Sequence, residues 1–157
     1  EYLKNKPKIE IVGLRYFNVY GFGEDSKGKT ASTILQFYNN IKNNRITYLF
    51  KNSEKIFRDF IYINDVVSCT VNAAVGNKIG LFNVGTGKER SFLEVYNILK
   101  SYLNSSIEPE YIENPFTSGY QNYTKADISR TVRELKFEPK YSLEDGIKNY
   151  IEILENI

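Results

Sequence analysis

Histidine is absent from the 157 residues, and so is methionine; cysteine occurs once, at Cys69, and proline four times. Without an imidazole, this segment holds no Ser-His-Asp triad, no histidine general base and no histidine-ligated metal. One thiol makes neither an internal disulfide nor a thiolate metal site. Cys69 sits in Val66-Val67-Ser68-Cys69-Thr70-Val71, among small and apolar residues, so a buried structural thiol is expected rather than a reactive one. An apolar run of about 18 residues is missing too, as is a signal-peptide pattern, which suits a cytoplasmic protein with no membrane partner. Neither sign of charge is in excess: 21 Lys and Arg stand against 19 Asp and Glu, a net charge of +2. That balance projects no field suited to nucleic acid, so no nucleic-acid partner is expected. Any anion must be held by a few placed cations.

What is present is a packed α/β pattern. The chain is one domain long, 41% hydrophobic and 15% aromatic, which is the composition of a globular core. Residues 1–8 are polar and read as the tail of an earlier helix plus a connection. Residues 9–17 are short and largely apolar, the mark of a strand buried on both faces. They run into Asn18-Val19-Tyr20-Gly21, a loop carrying Lys27-Gly28, and a helix over 30–44 with Ile34, Tyr38 and Ile41 on one face. A short strand is expected at 46–50, a polar turn at 51–54, and a strand at 57–63. Asn64 or Asp65 then caps a helix over 66–74. Residues 80–84 form a strand closed by Gly85-Thr86-Gly87, and residues 110–113 another. Ser91-Phe92-Leu93-Glu94 is a capping box. Thr124-Lys125-Ala126-Asp127 and Ser142-Leu143-Glu144-Asp145 resemble two more, opening helices packed through Ile128 and Leu135, and through Leu143, Ile147, Ile151 and Leu154. Strands and helices alternate, so the fold class is α/β.

Ligands of open α/β sheets bind outside the carboxyl ends of strands, which puts Asn18, Tyr20 and Lys27 at a ligand position. Lys27, by itself an ordinary loop lysine, gains from lying within one turn of a helix N-terminus, whose free N–H groups also attract anions. Arg58 begins a strand, where a guanidinium suits a bidentate phosphate contact; taken alone it reads more readily as a surface cation. Tyr120 and Tyr123 offer rings that either stack on a base or pack. Asp59 and Asp65 are six apart but read as structural, Asp65 as a helix cap and Asp59 as the partner of a cation or backbone donor. Gly85-Thr86-Gly87 is followed by Lys88, Glu89 and Arg90, not by the third glycine of G-x-G-x-x-G, so it reads as a tight turn.

Four segments in order, Leu-Arg-Tyr-Phe-Asn-Val-Tyr-Gly (14–21), Arg-Asp-Phe-Ile-Tyr-Ile-Asn-Asp-Val (58–66), Phe-Asn-Val-Gly-Thr-Gly (82–87) and Ser-Leu-Glu-Asp-Gly-Ile (142–147), resemble the carboxyl half of an extended short-chain dehydrogenase/reductase. These are the nucleotide-sugar epimerases and dehydratases. The resemblance spans essentially the whole chain. It implies the end of a Rossmann sheet plus the small substrate-binding domain, residues 1–157 forming one carboxyl-terminal portion without the amino-terminal dinucleotide-binding part. Lys27-Gly28 with Ala31-Ser32, and Gly119-Tyr120-Gln121 with residues 124–127, are most similar to the branch that epimerises ADP-heptoses at C6 for lipopolysaccharide core synthesis.

That branch implies an ADP-sugar substrate, a tightly held NADP that takes hydride from C6 and returns it to the opposite face, and a homo-oligomeric enzyme. Lys27 then matches the second acid/base. Asn18, Lys29, Gln36, Phe50, Lys51, Asn52, Ser53, Arg58 and Tyr120 match substrate-contacting positions, and Val19 and Lys27 cofactor-contacting ones. The chain departs from the pattern at Phe22-Gly23, where Pro-Arg is frequent, at Gln36, where His is frequent, and at Lys29, where a small hydroxyl is frequent. Lys29 either adds a phosphate contact or points to solvent. Two alternatives stand beside this reading: another nucleotide-sugar epimerase or dehydratase of the superfamily, and a nucleotide-sugar-binding module without chemistry. An upstream reading frame encoding the glycine fingerprint and Tyr-x-x-x-Lys would separate enzyme from module.

Overall fold

Short apolar runs alternate with amphipathic stretches, and the computed structural model, which describes residues 11–116 and 119–156, turns each into an element. The polar stretch 1–8 and the start of the first apolar run lie outside the described residues. In chain order the elements are β1 (Val12–Tyr16), β2 (Asn18–Tyr20), α1 (Thr33–Lys42), β3 (Tyr48–Phe50), β4 (Phe57–Arg58), β5 (Phe60–Tyr62) and α2 (Ile63–Val75). After these come β6 (Gly80–Val84), β7 (Arg90–Ser91), α3 (Phe92–Tyr102), β8 (Glu110–Ile112), α4 (Ser129–Leu135) and α5 (Leu143–Glu155). Strand β1 pairs with β6 in parallel, Val12 opposite Gly80 and Tyr16 opposite Val84. Parallel pairing also joins β2 to β5 and β3 to β8, while β4 and β7 are antiparallel. Parallel neighbours need long crossovers, and the helices supply them.

Two apolar clusters hold these layers. In the first, Ile34, Phe37 and Tyr38 of α1, Val95, Tyr96 and Leu99 of α3, and Ile147 and Tyr150 of α5 close over Tyr20, Phe60 and Tyr62. In the second, Val66, Cys69 and Ala73 of α2 pack with Ile61, Phe82, Val84, Leu135 and Phe137. Burial pushes the Cys69 thiol up to about 11, as a structural cysteine requires. Helix starts follow the sequence where a Ser leads. Ser32 accepts from Leu35 N, Ser91 and Glu94 form the full capping box, and Ser142 accepts from Asp145 N.

The differences from the sequence reading each have a local cause. The first apolar run bends at Phe17, whose N–H turns to Val84 O, so β1 and β2 take different partners. Arg15 and Tyr16 are exposed, not buried on both faces, because among the described residues β1 pairs with β6 alone. Lys27 does not open an α-helix. It lies in a 3-10 turn, Asp25–Thr30, with no buried residue, and α1 starts afterwards under the Ser32 cap. Residues 57–63 are split by Asp59. Helix α2 starts at Ile63, so Asp65 falls in its first turn and caps nothing; it accepts from Lys140 N and Tyr141 N at 3.0–3.1 Å instead. The capping box expected at Thr124 is absent: its hydroxyl is buried without a partner, and Asp127 accepts from Ser129 N at the start of α4. Among the described residues no helix is long and apolar enough to cross a membrane.

Candidate functional site

Asn52 takes a left-handed conformation (φ 62°) that turns the chain after β3 into a 3-10 turn, Ser53–Lys55, and delivers it to β4. That turn and the ends of β3, α1 and α3 enclose a largely apolar cavity of about 200 Å³. Thr33, Phe37, Phe50, Ser53, Phe92 and Tyr120 line it. Tyr120 meets Phe50 edge to face at 5.7 Å and lies parallel to Phe116, centroids 5.8 Å apart. The Ser53 hydroxyl is fully buried on this wall and has no hydrogen-bond partner among the described residues. An orphaned donor in an aromatic cavity is costly unless a ligand completes it.

Arg58 stands at the cavity's edge, its guanidinium 5.5 Å from the Phe92 centroid and 5.4 Å from that of Tyr120. One of its N–H groups donates to Phe57 O at 2.8 Å. Directly opposite in the β4–β7 pair is Arg90. Two like charges in register destabilise a strand pair unless one is neutralised. Arg90 is neutralised: it donates to Glu94 at 3.1 Å and Glu144 at 2.5 Å, and its guanidinium holds the Glu144 carboxyl below its ordinary range. Among the described residues Arg58 has no carboxylate partner, so its charge is available to an anion.

Asp59, next to Arg58, is fully buried and accepts four hydrogen bonds, from Thr86 N, Thr86 Oγ1, Gly87 N and Ala126 N, at 2.6–3.1 Å. Its main-chain oxygen accepts from Asn18 N. The partner of Asp59 is therefore a set of backbone donors, one of the two roles expected for it. This also accounts for Gly85-Thr86-Gly87: the N–H groups a phosphate would need are spent on a carboxylate.

The second group of candidates lies beyond β2. Val19 and Lys27 line a small cavity of about 120 Å³ together with Tyr20, Gly21, Glu24 and Ile63. Lys27 and Lys29 take part in no ion pair among the described residues. Gln36 turns back on its own loop, its amide donating to Ala31 O at 2.8 Å and Lys29 O at 3.4 Å. Lys51 is bound to Glu113 on the surface. Tyr123 is tied by its hydroxyl to Glu89 at 3.0 Å and its ring faces Phe57. The structure thus gathers Phe50, Ser53, Arg58 and Tyr120 into one place and Val19 and Lys27 into another. Asn18 starts β2 opposite Phe60. Sequence reasoning missed Phe92, Phe116 and Glu24. Phe116 and Tyr120 stand four apart in a Pro- and Gly-containing loop, a signal that was there to use; a lone acidic residue in a glycine loop gave none.

Among the described residues four strand pairs, three of them parallel, with helices packed over them and an aromatic cavity at the strand ends define an α/β domain, and comparison with known proteins says of which family. Residues 1–85 match the NAD dependent epimerase/dehydratase family, and the chain belongs to it. It is 41% identical over 156 residues to the ADP-L-glycero-D-manno-heptose-6-epimerase of Brachyspira hyodysenteriae, covering 97% of this chain and 48% of that protein. The crystal structure of the Helicobacter pylori ADP-L-glycero-D-manno-heptose-6-epimerase superposes with a TM-score of 0.87 at 37% identity, over 99% of this chain and 48% of that one. The Thermotoga maritima UDP-glucose 4-epimerase, solved with UDP-glucose, gives 0.89 at 27% identity, over 99% and 50%. The chain spans about half the length of the curated relatives it matches. Its fold is that of the carboxyl-terminal part of an extended short-chain dehydrogenase/reductase.

A dinucleotide fills several hundred Å³. The Val19–Lys27 cavity holds about 120 Å³, and the Gly85–Gly87 donors are occupied by Asp59. The Val19–Lys27 cavity therefore cannot by itself take a whole dinucleotide.

Proposed function

We propose that this chain is the substrate-binding half of a nucleotide-sugar epimerase whose substrate is an ADP-heptose inverted at C6. The observation that carries the reading is the aromatic cavity with the orphaned Ser53 hydroxyl inside and the unpaired Arg58 guanidinium at its edge. A flat base fits in the cavity against the touching pair Phe50 and Tyr120, Ser53 gives it one hydrogen bond, and Arg58 takes the diphosphate in a bidentate grip. Asn18 starts β2 opposite Phe60, two residues on from Arg58, and is read as a further contact to the substrate. Heptose specificity, NADP as the cofactor and a homo-oligomeric whole enzyme rest on the resemblance at Lys27-Gly28 and residues 119–127 and on the relatives' names. NADP, when bound, would accept the hydride from C6 and return it to the opposite face, and Val19 and Lys27 are the residues of this chain that would touch it. Reduction from either face of a carbonyl needs a proton donor on that side, and Lys27 is the donor this chain contributes. The other acid/base and the glycine fingerprint belong to the amino-terminal half, so this chain alone binds and does not turn over.

Calorimetry on the 157-residue chain tests the binding reading. ADP should bind more tightly than UDP, and Ser53→Ala should weaken ADP about fivefold, the worth of one hydrogen bond. Equal affinity for the two nucleotides would replace the ADP-sugar by another substrate of the superfamily. In the enzyme completed by its amino-terminal half, Lys27→Met should lower epimerisation about 10²–10⁴-fold with cofactor content retained. A wild-type rate would make Lys27 a loop lysine.

A further inference from the structure

Residues 25–30 between β2 and α1 are exposed, yet the segment starts on a buried carboxylate. Glu24 has no Lys or Arg partner among the described residues. Its Oε1 accepts from Gly21 N at 3.3 Å and Ser32 Oγ at 2.7 Å, and its Oε2 accepts from Ser32 N at 2.7 Å. Gly21 is the turn after β2 and Ser32 is the cap of α1, so one side chain staples the two ends of the strap that carries Lys27. From the other side Tyr150 of α5 closes the box. Its buried hydroxyl makes no well-formed hydrogen bond among the described residues but lies close to Glu24, and burial, then the Glu24 charge and that approach, raise its pKa. Shorter ties run along the strap itself: Lys27 N donates to Glu24 O at 3.0 Å and Thr30 Oγ1 to Lys27 O at 2.8 Å. Ala31 N donates to Gly28 O at 3.2 Å and the Gln36 amide to Lys29 O at 3.4 Å; Gly23 (φ 94°) and Gly28 (φ 52°) flank Lys27 with open space where a Cβ would stand, so hydrogen bonds rather than packing fix the strap.

A buried carboxylate costs far more than closing a turn requires, since a Ser or Asn would cap the same donors cheaply. Rigidity is what that cost secures. We propose that Glu24 is a positioning residue: its carboxylate latches the strap to β2 and α1 and so presents Lys27 at the cavity it shares with Val19, Tyr20 and Ile63. The proposal rests on the reading of Lys27 as an acid/base group, and it adds the device that aims it.

Limited tryptic digestion of the 157-residue chain reads the latch without any activity. Cleavage after Lys27 or Lys29 reports strap opening, and cleavage after Lys148, inside α5, reports unfolding of the domain. Glu24→Gln leaves one backbone N–H, of Gly21 or Ser32, without its acceptor. Strap cleavage should rise about ten- to hundredfold while Lys148 stays protected. A wild-type strap rate, or an equal rise at Lys148, overturns the latch. Should Glu24→Gln fail to fold, Glu24→Asp decides, because it keeps the carboxylate and the Ser32 cap but is too short to span Gly21 and Ser32; about threefold faster strap cleavage supports the latch and no change overturns it. In the completed enzyme Glu24→Gln should lower kcat about tenfold with KM within about twofold, and cost nothing further in a Lys27→Met background. Equal losses in both backgrounds make Glu24 structural only. If the wild type turns over no nucleotide sugar, the activity reading falls while the digestion still decides the latch.

Discussion

Arg58 owes its availability to Arg90, because the cation opposite it is already matched by Glu94 and Glu144. Arg58→Lys keeps the charge but loses the planar fork and the stacking on Phe92 and Tyr120. ADP affinity should fall by about 2 kcal/mol, roughly thirtyfold, with thermal stability unchanged. Equal affinity by calorimetry would return Arg58 to the class of surface cations. Asp59 is the contrasting case. Asn in its place keeps one acceptor oxygen and turns an amide toward two N–H donors, so Asp59→Asn should destabilise the chain by about 2–5 kcal/mol in urea titrations. A loss under about 1 kcal/mol would show that the Thr86–Gly87 turn holds itself.

Element by element, what the sequence revealed depended on whether the signal was local. Ser91 with Glu94, and Ser142 with Asp145, are decided within four residues: the first forms the full capping box, the second only its Ser half, since Asp145 accepts from the Ser142 hydroxyl instead of its backbone N–H. Asp65 and Thr124 look alike locally but answer to distant groups, Asp65 to Lys140 and Tyr141 across the fold, and Thr124 through its N–H to Phe57 O, its hydroxyl having no partner among the described residues. Site residues followed the same rule: Arg58 was legible from a short motif, whereas the latch on Glu24 needs Gly21, Ser32 and Tyr150 brought together. One tie of this distant kind sets a pH dependence. Lys125, then the residue's own backbone N–H, then the Tyr123 hydroxyl hold the Glu89 carboxyl down at about 2 from an ordinary 4.5. A lowered value means the tie is at full strength above about 4.5 and fades as pH falls from there toward 2. The Tyr123 ring-carbon NMR shift should follow that acid titration and lose it in Glu89→Gln. A shift that titrates unchanged in the variant would assign it to another carboxylate.

Across the whole molecule, one side stands open. Thr70 of α2 meets Tyr16 of β1 at 3.1 Å, while Asn72 turns to Leu135 and α4. Val67, Thr70, Val71 and Ala74 share the flank beside β1's outer edge. Val67 and Val71 are 54% and 55% exposed, enough apolar surface beside a strand edge that is unpaired among the described residues to invite a second chain. Sedimentation of the chain should give a mass that climbs above 18.2 kDa with concentration, and Val71→Lys should hold it at the monomer. Monomeric wild type at high concentration would show that edge to be protected. The β1–β6 pairing also fixes an order of events in synthesis. Arg15 and its neighbour Asn83 are 68 residues apart in the chain, a gap the ribosome crosses in roughly 3–14 s at about 5–20 residues per second. For that interval β1 is outside the ribosome with neither edge filled by β6. Chaperone occupancy on nascent chains should therefore rise as β1 emerges and drop once β6 follows it, a timing written into the register of two five-residue strands.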